Sequence, residues 1–326
     1  MIKKLAAVSL TVLMAASFAA GCAKKEAPQQ SAAPAPAGNK QEAAAPKTGG
    51  TFEPKELRVQ FVPSQQAETL EAKAKPLEKL LSDKLGIPVK VSVSTNYNTV
   101  IEAMASKQVD IGFLPPTNYV VAHDDKKAAD LLLQAQRFGV DDKTGQPTTE
   151  LVDYYKSMII VKADSPIKEL KDLKGKKMAW QDVTSSAGYV YPAILMKKNG
   201  IDPDKDVTGI TVKGHDKGVL AVLNGDVDAA AVFQDIRTQM KDVPDAVQKT
   251  RVLSFTDKIP NDTISVRPDM SQAWRDKISQ AFIDLGKNDD SRKILVDIYS
   301  HQGYVKGDDK NFDIVRQAAK DIGQKK

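Results

Sequence analysis

The stretch 89–116, VKVSVSTNYNTVIEAMASKQVDIGFLPP, holds the pattern that decides the fold. Val89, Val91 and Val93 alternate with polar residues, the period-two signature of a half-buried strand. Tyr97 to Ser106 reads as a helix, and Asp110-Ile111-Gly112-Phe113-Leu114 as a short buried strand, after which Pro115-Pro116 opens another helix. Upstream, Leu57 to Val62 is a further strand, and Leu70, Ala74, Leu77, Leu81 and Leu85 recur at helical spacing. Pro76 is expected to kink or restart that helix, because proline removes a backbone donor and crowds the preceding turn. This β-α-β-α order argues for α/β layers around a largely parallel sheet.

Downstream, Leu131 to Ala135 adds a strand, and the polar stretch Gly139 to Glu150, with Gly145 and Pro147, reads as an exposed loop. Ser157 to Val161 is a strand that leaves this first set. Ile167 to Leu173 and the Lys174-Gly175-Lys176 turn then introduce a second β-α set running to about Ile259. Ile264-Ser265-Val266 looks like the return strand, and amphipathic helices near Ala273 to Leu285 and Asp290 to Tyr299 rejoin the first set. A chain of this length exceeds what one hydrophobic core usually organises. The expectation is an α/β fold of two lobes joined by two hinge crossings, with residues 52–156 in lobe 1, 157–263 in lobe 2, and 264–326 returning to lobe 1.

The N-terminus bears on compartment. Lys3 and Lys4 precede an uncharged, mostly apolar run from Leu5 to Ala20, so residues 1–21 read as a secretory signal peptide, too short for the roughly 20 apolar residues of a membrane span. The only cysteine, Cys22, ends the tetrapeptide Ala19-Ala20-Gly21-Cys22, which resembles the lipobox of bacterial lipoproteins, with Ala19 where Leu is usual. That resemblance implies an extracytoplasmic protein anchored to the cell membrane through lipid on Cys22 and in no other way. Residues 22–51, rich in Ala, Pro, Gln, Lys and Gly, read as a flexible tether. The first 51 residues hold six Lys and two Glu, so the net charge of +5 leaves 41 basic and 40 acidic residues in the rest. No basic stripe with interleaved aromatics is present, which argues against nucleic acid as a partner. A small anion would have to be held by local dipoles.

Enzyme motifs such as H-E-x-x-H, G-x-S-x-G and G-x-G-x-x-G are missing, and His123, His215 and His301 are far apart, so neither a metal cluster nor a cofactor is expected. The sharpest local feature is Asp182-Val183-Thr184-Ser185-Ser186-Ala187-Gly188-Tyr189, between a strand Lys177 to Gln181 and a helical run Ile194 to Lys198. Hydroxyls and free N–H groups at a helix start form an anion cradle, and they equally form an ordinary helix cap. His215, in Gly214-His215-Asp216 ahead of the apolar helix Val219 to Leu223, is either an oxyanion donor or a capping residue. Asp235, which follows the apolar strand Ala230 to Phe233, either faces a cleft or caps a helix.

Taken together, Phe61-Val62-Pro63-Ser64, Tyr97 with Val100 to Met104, Asp110 to Leu114 with Pro116 and Tyr119, the Ser185 turn, His215 to Asp228, and Ile259-Pro260-Asn261-Asp262 follow a specific order. They resemble the phosphonate/phosphite/phosphate-binding family of ABC transporter solute receptors. The resemblance implies a type II periplasmic-binding-protein fold that closes on a small phosphorus oxyanion without chemical turnover, acting as a monomer with a permease and its ATPase. By position it implies ligand contacts from the hydroxyl turn at Thr184, Ser185, Ser186 and Ala187, from His215, and from two first-lobe tyrosines, Tyr97 and Tyr119. Ala187 stands where the family has a hydroxyl residue, which leaves its N–H as the donor. Asp235 falls near an acidic position that pairs with the amine of aminoalkyl ligands, and it would either do so here or accept a proton from a protonated oxyanion. A sensor reporting to a signalling receptor is the alternative on the same fold, and an enzyme pairing His215 with Asp235 is a third reading.

Overall fold

The computed structural model describes residues 50–141 and 146–323, so the readings made on residues 1–49, including Cys22, lie outside the described residues. The chain starts with β1 (Leu57–Phe61), α1 (Ala67–Leu85), β2 (Val89–Val93), α2 (Tyr97–Ala105), β3 (Ile111–Leu114) and the short α3 (Pro116–Val120). The strands β4 (Asp130–Val140) and β5 (Pro147–Val152) follow, and β6 (Tyr154–Tyr155) leads across to β7 (Ser157–Lys162). Next come β8 (Lys177–Trp180), α4 (Tyr191–Lys198), β9 (Thr208–Thr211), α5 (His215–Asn224) and β10 (Ala229–Phe233). Two single-turn helices, α6 (Ile236–Gln239) and α7 (Ala246–Lys249), precede β11 (Thr250–Phe255). The chain returns through β12 (Ile259–Pro260) to β13 (Thr263–Val266), α8 (Gln272–Lys287), α9 (Asp289–Tyr299), β14 (Gly303–Lys306) and α10 (Asp313–Asp321).

Two sheets result. The first has the order β14-β4-β13-β3-β1-β2 with β5 added to β4, and the second β11-β7-β10-β8-β9. Neither is largely parallel. In the first, β1 pairs in parallel with β2 and β3, but β13 is antiparallel to β3 and β4, and β14 and β5 are antiparallel to β4. The second combines parallel β8–β9 and β8–β10 pairs with antiparallel β7–β10 and β7–β11 pairs. Only the local β-α-β crossovers enforce parallel pairing. Strands next to a lobe crossing enter their sheet from the opposite end.

Two further local expectations are corrected. The helix α1 runs unbroken through Pro76. Pro76 and Ala72, whose carbonyl would have taken the missing N–H, are both exposed, so water can take that carbonyl while Leu70, Ala74, Leu77, Leu81 and Leu85 stay packed in the core. Of the stretch read as a loop from Gly139 to Glu150, residues 139–140 and 147–150 are instead strand residues of β4 and β5, with Val140 opposite Pro147, and residues 142–145 lie outside the described residues. The β5 strand is mostly exposed and polar, so it carries no apolar alternation.

Separate cores support the two sheets. Phe61 stacks on Phe113 at 4.0 Å between ring centroids, with Phe282 and Tyr299 edge-on, while Ile160, Val190, Val219 and Val232 centre the second core. Both crossings run side by side: Ile259 pairs with Tyr155 and Pro260 with Tyr154, and the Asn261 N–H donates to the Asp153 carbonyl at 2.7 Å. The C-terminal α10 touches both cores, with Val315 in the first-sheet cluster and Ala318 in the second.

Candidate functional site

Three helix starts converge where the lobes meet. Asn96 caps α2 by accepting the Thr99 N–H at 2.9 Å, which sets Tyr97 at the first turn. Ser185 caps the second, accepting the Gly188 N–H at 3.1 Å, and the chain winds from there as a π-turn, Ser186–Val190, directly into α4. Ser186 and Ala187 are the first residues of that turn, where backbone N–H groups have no intrahelical acceptor and the positive end of the helix dipole lies. Gly188 permits the tight turn: a Cβ there would lie 2.2 Å from Gln181 Cβ. The third start is α5, where Gly214 at φ 102° takes a left-handed conformation that L side chains rarely adopt, and His215 follows it.

The lobes are bridged by hydrogen bonds around these starts. The His215 N–H donates to the Ser64 carbonyl at 2.8 Å, the Thr117 N–H donates to Ser186 Oγ at 3.0 Å, and Asn118 Nδ2 donates to Thr184 Oγ1 at 3.3 Å. Arg137 on β4 also pairs with Asp235, just past β10, at 3.0 Å with both side chains nearly buried.

Between them lies a cavity of about 30 Å³. The first lobe and its return contribute Ser64, Tyr97, Arg137, Asp262 and Tyr299; the hinge strand contributes Tyr155; the second lobe contributes Ser185, Ala187, His215 and Phe233. Tyr299 donates its hydroxyl to the Val62 carbonyl at 2.8 Å, and the buried Ser64 hydroxyl lies beside the same phenol.

Burial raises the phenol of Tyr97 well above its ordinary pKa, with the Ser185 hydroxyl opposing, so Tyr97 keeps its proton and is a donor. Burial does the same to Tyr155. His215 is pushed the other way, down to about 3, by burial, with the Asp262 carboxylate opposing. The ring is therefore neutral at pH 7. Its Nδ1 accepts the Phe233 N–H at 3.3 Å, so Nε2 carries the proton and donates. Neutral donors, a helix start and one guanidinium are a donor set for a small oxyanion.

Of the residues singled out in the sequence, Tyr97, Ser185, Ala187 and His215 line the cavity. Ser186 and Thr184 sit on the same turn with their side chains spent on the first lobe. Asp235 stands behind Arg137 rather than in the wall. Tyr119 is placed elsewhere: α3 turns its ring into the layer between His123 and Phe312, and its hydroxyl donates to Asp309 at 2.7 Å. The tyrosines that join Tyr97 at the cavity are Tyr155 and Tyr299. Sequence reasoning missed Arg137, Tyr155 and Tyr299 as site residues and used Ser64 and Asp262 only as parts of motifs. Tyr155 had one available signal, its place immediately before the strand that crosses between lobes.

A two-lobed α/β receptor with a small donor-lined cavity between its lobes is a solute-binding protein of the type II periplasmic class. The model of the family described as "ABC transporter, phosphonate, periplasmic substrate-binding protein" matches residues 59–312, and the chain belongs to that family. The Mycolicibacterium smegmatis phosphate-import protein PhnD is 30% identical over 55% of this chain, and the match spans 56% of that relative's length. The phosphonates-binding periplasmic protein of Escherichia coli is 27% identical over 74% of this chain and 69% of its own. Among solved structures, a binding protein component of an ABC phosphonate transporter from Pseudomonas aeruginosa superposes with a TM-score of 0.71 at 22% identity, covering 81% of this chain and 85% of that one. PhnD1 from Prochlorococcus marinus, solved in complex with methylphosphonate, gives the same TM-score at 18% identity, covering 84% and 100%. These likenesses establish the two-lobed fold. No helix among the described residues is long and apolar enough to cross a membrane.

Proposed function

We propose that this chain captures a small phosphorus oxyanion, a phosphonate, phosphite or phosphate, and delivers it to an ABC permease energised by an ATPase, while tethered outside the cytoplasmic membrane by lipid on Cys22. The observation that carries this reading is the 30 Å³ cavity lined from both lobes by Tyr97, Ser185, Ala187 and the neutral His215 ring. Room for about two to three water-sized spheres suits a tetrahedral anion with a hydrogen, hydroxyl or methyl substituent better than an extended ester. Ligand oxygens touching both lobes would favour the bridged arrangement over an open one, and the bridged form is what a permease would recognise.

The test is a thermal-shift screen of residues 48–326, a single compact unit, against phosphate, phosphite, methylphosphonate and taurine. A ligand of the folded state raises the melting temperature. A shift with a phosphorus compound supports the reading. No shift with any of the three, or a shift with taurine alone, overturns it.

A further inference from the structure

Among the described residues, Arg137 is the one guanidinium in the cavity wall, and its side chain is only 3% exposed. It is held from several directions. Nε donates to Asn261 Oδ1 at 3.1 Å, Nη1 pairs with Asp235 Oδ2 at 3.0 Å, and Nη2 lies 3.8 Å from Asp262 Oδ2. The guanidinium also stacks over the Tyr155 ring, 4.7 Å from its centroid.

Asp262 in the wall and Asp235 behind Arg137 put two carboxylates at one end of an anion site, which is otherwise difficult to explain. Left alone they would repel the oxyanion and attract any ligand carrying an ammonium group. A fixed cation between them offsets one of the two charges and fills the place between the carboxylates that an ammonium would take. Asp262 has a second neighbour, His301 Nε2 at 3.4 Å, but burial lowers the His301 pKa, so Arg137 is the cation that faces the pair.

We propose that Arg137 is the specificity-determining residue of this cavity: a resident cation that occupies the two carboxylates a ligand amine would take, restricting the site to small oxyanions without a positively charged substituent. The inference rests on the oxyanion-receptor reading and names the ligand class within it. It also assigns the carboxylates a role, since Asp235 and Asp262 hold the guanidinium in place.

Calorimetry with n-propylphosphonate and 2-aminoethylphosphonate tests it, because the two tails have the same number of heavy atoms and differ in charge. The wild-type chain is expected to bind the amine no better than n-propylphosphonate. Arg137→Gln, which removes the charge but keeps much of the volume, is expected to bind the amine at least about tenfold tighter than n-propylphosphonate. A wild-type preference for the amine overturns the proposal, and so does a folded Arg137→Gln chain without that preference. If Arg137→Gln does not melt cooperatively alone, the amine must restore a cooperative transition that n-propylphosphonate does not; failure to do so is also fatal. The methylphosphonate, phosphite and phosphate arms are read separately, so a chain that binds none of them overturns the receptor reading itself.

Discussion

Lowering the pH should destabilise the ligand-free protein through His215, by an amount that the structure sets. The ring is 3% exposed and its pKa is pushed down to about 3, whereas in the unfolded chain it returns to about 6.5. Between those values the unfolded state binds a proton that the folded state does not, so stability rises with pH through the window and is lost as pH falls below about 6.5. Each pH unit inside the window costs about 1.4 kcal/mol, and going from pH 7.5 to pH 4.5 costs about 2.7 kcal/mol from this one side chain. Urea unfolding of wild-type and His215→Gln chains at both pH values isolates the effect. His301, whose pKa is also depressed by burial, and all the carboxylates remain in both chains and drop out of the difference. The wild type should lose about 2.7 kcal/mol more than the variant. Equal losses would mean that His215 is hydrated and protonated in the folded state, and the argument for a neutral Nε2 donor would collapse.

Ser186→Ala removes the hydroxyl that bonds Thr117 across the lobes, and should weaken oxyanion binding about fivefold, the equivalent of about 1 kcal/mol for a net hydrogen bond, as read by calorimetry. Thr117→Val should do the same and add little on top of Ser186→Ala; full additivity would show that the two act separately. Tyr119→Phe should lower the melting temperature by breaking the bond to Asp309 while leaving affinity unchanged, and a loss of affinity would put Tyr119 back in the ligand site. Gly188→Ala forces a Cβ to within 2.2 Å of Gln181 Cβ, so it should cost more than about tenfold in affinity through distortion of the Ser185 turn. Unchanged binding in calorimetry would show that the turn geometry is not what holds the ligand.

The sequence by itself determined the layer class, because Val89 to Val93, the helical spacing from Leu70 to Leu85 and the apolar Ile111–Leu114 have periods that only strands and helices bury well. It also marked the Ser185 turn and His215, since hydroxyl and histidine residues at helix starts are local features of one chain segment. Pairing direction was not legible: whether β13 lies antiparallel between β3 and β4 depends on which end of the sheet the chain re-enters. Nor was the second half of the site. Arg137 sits in a strand, and nothing in its neighbours points to Asp235, 98 residues away, or to Asp262. Tyr119 and Tyr155 are each a single aromatic in the sequence, and only the direction of α3 and the hinge strand separates a packing residue from a cavity wall. Local backbone chemistry is written in consecutive residues, whereas a cavity between two lobes is made by long-range contacts that exist only after the chain has crossed and returned.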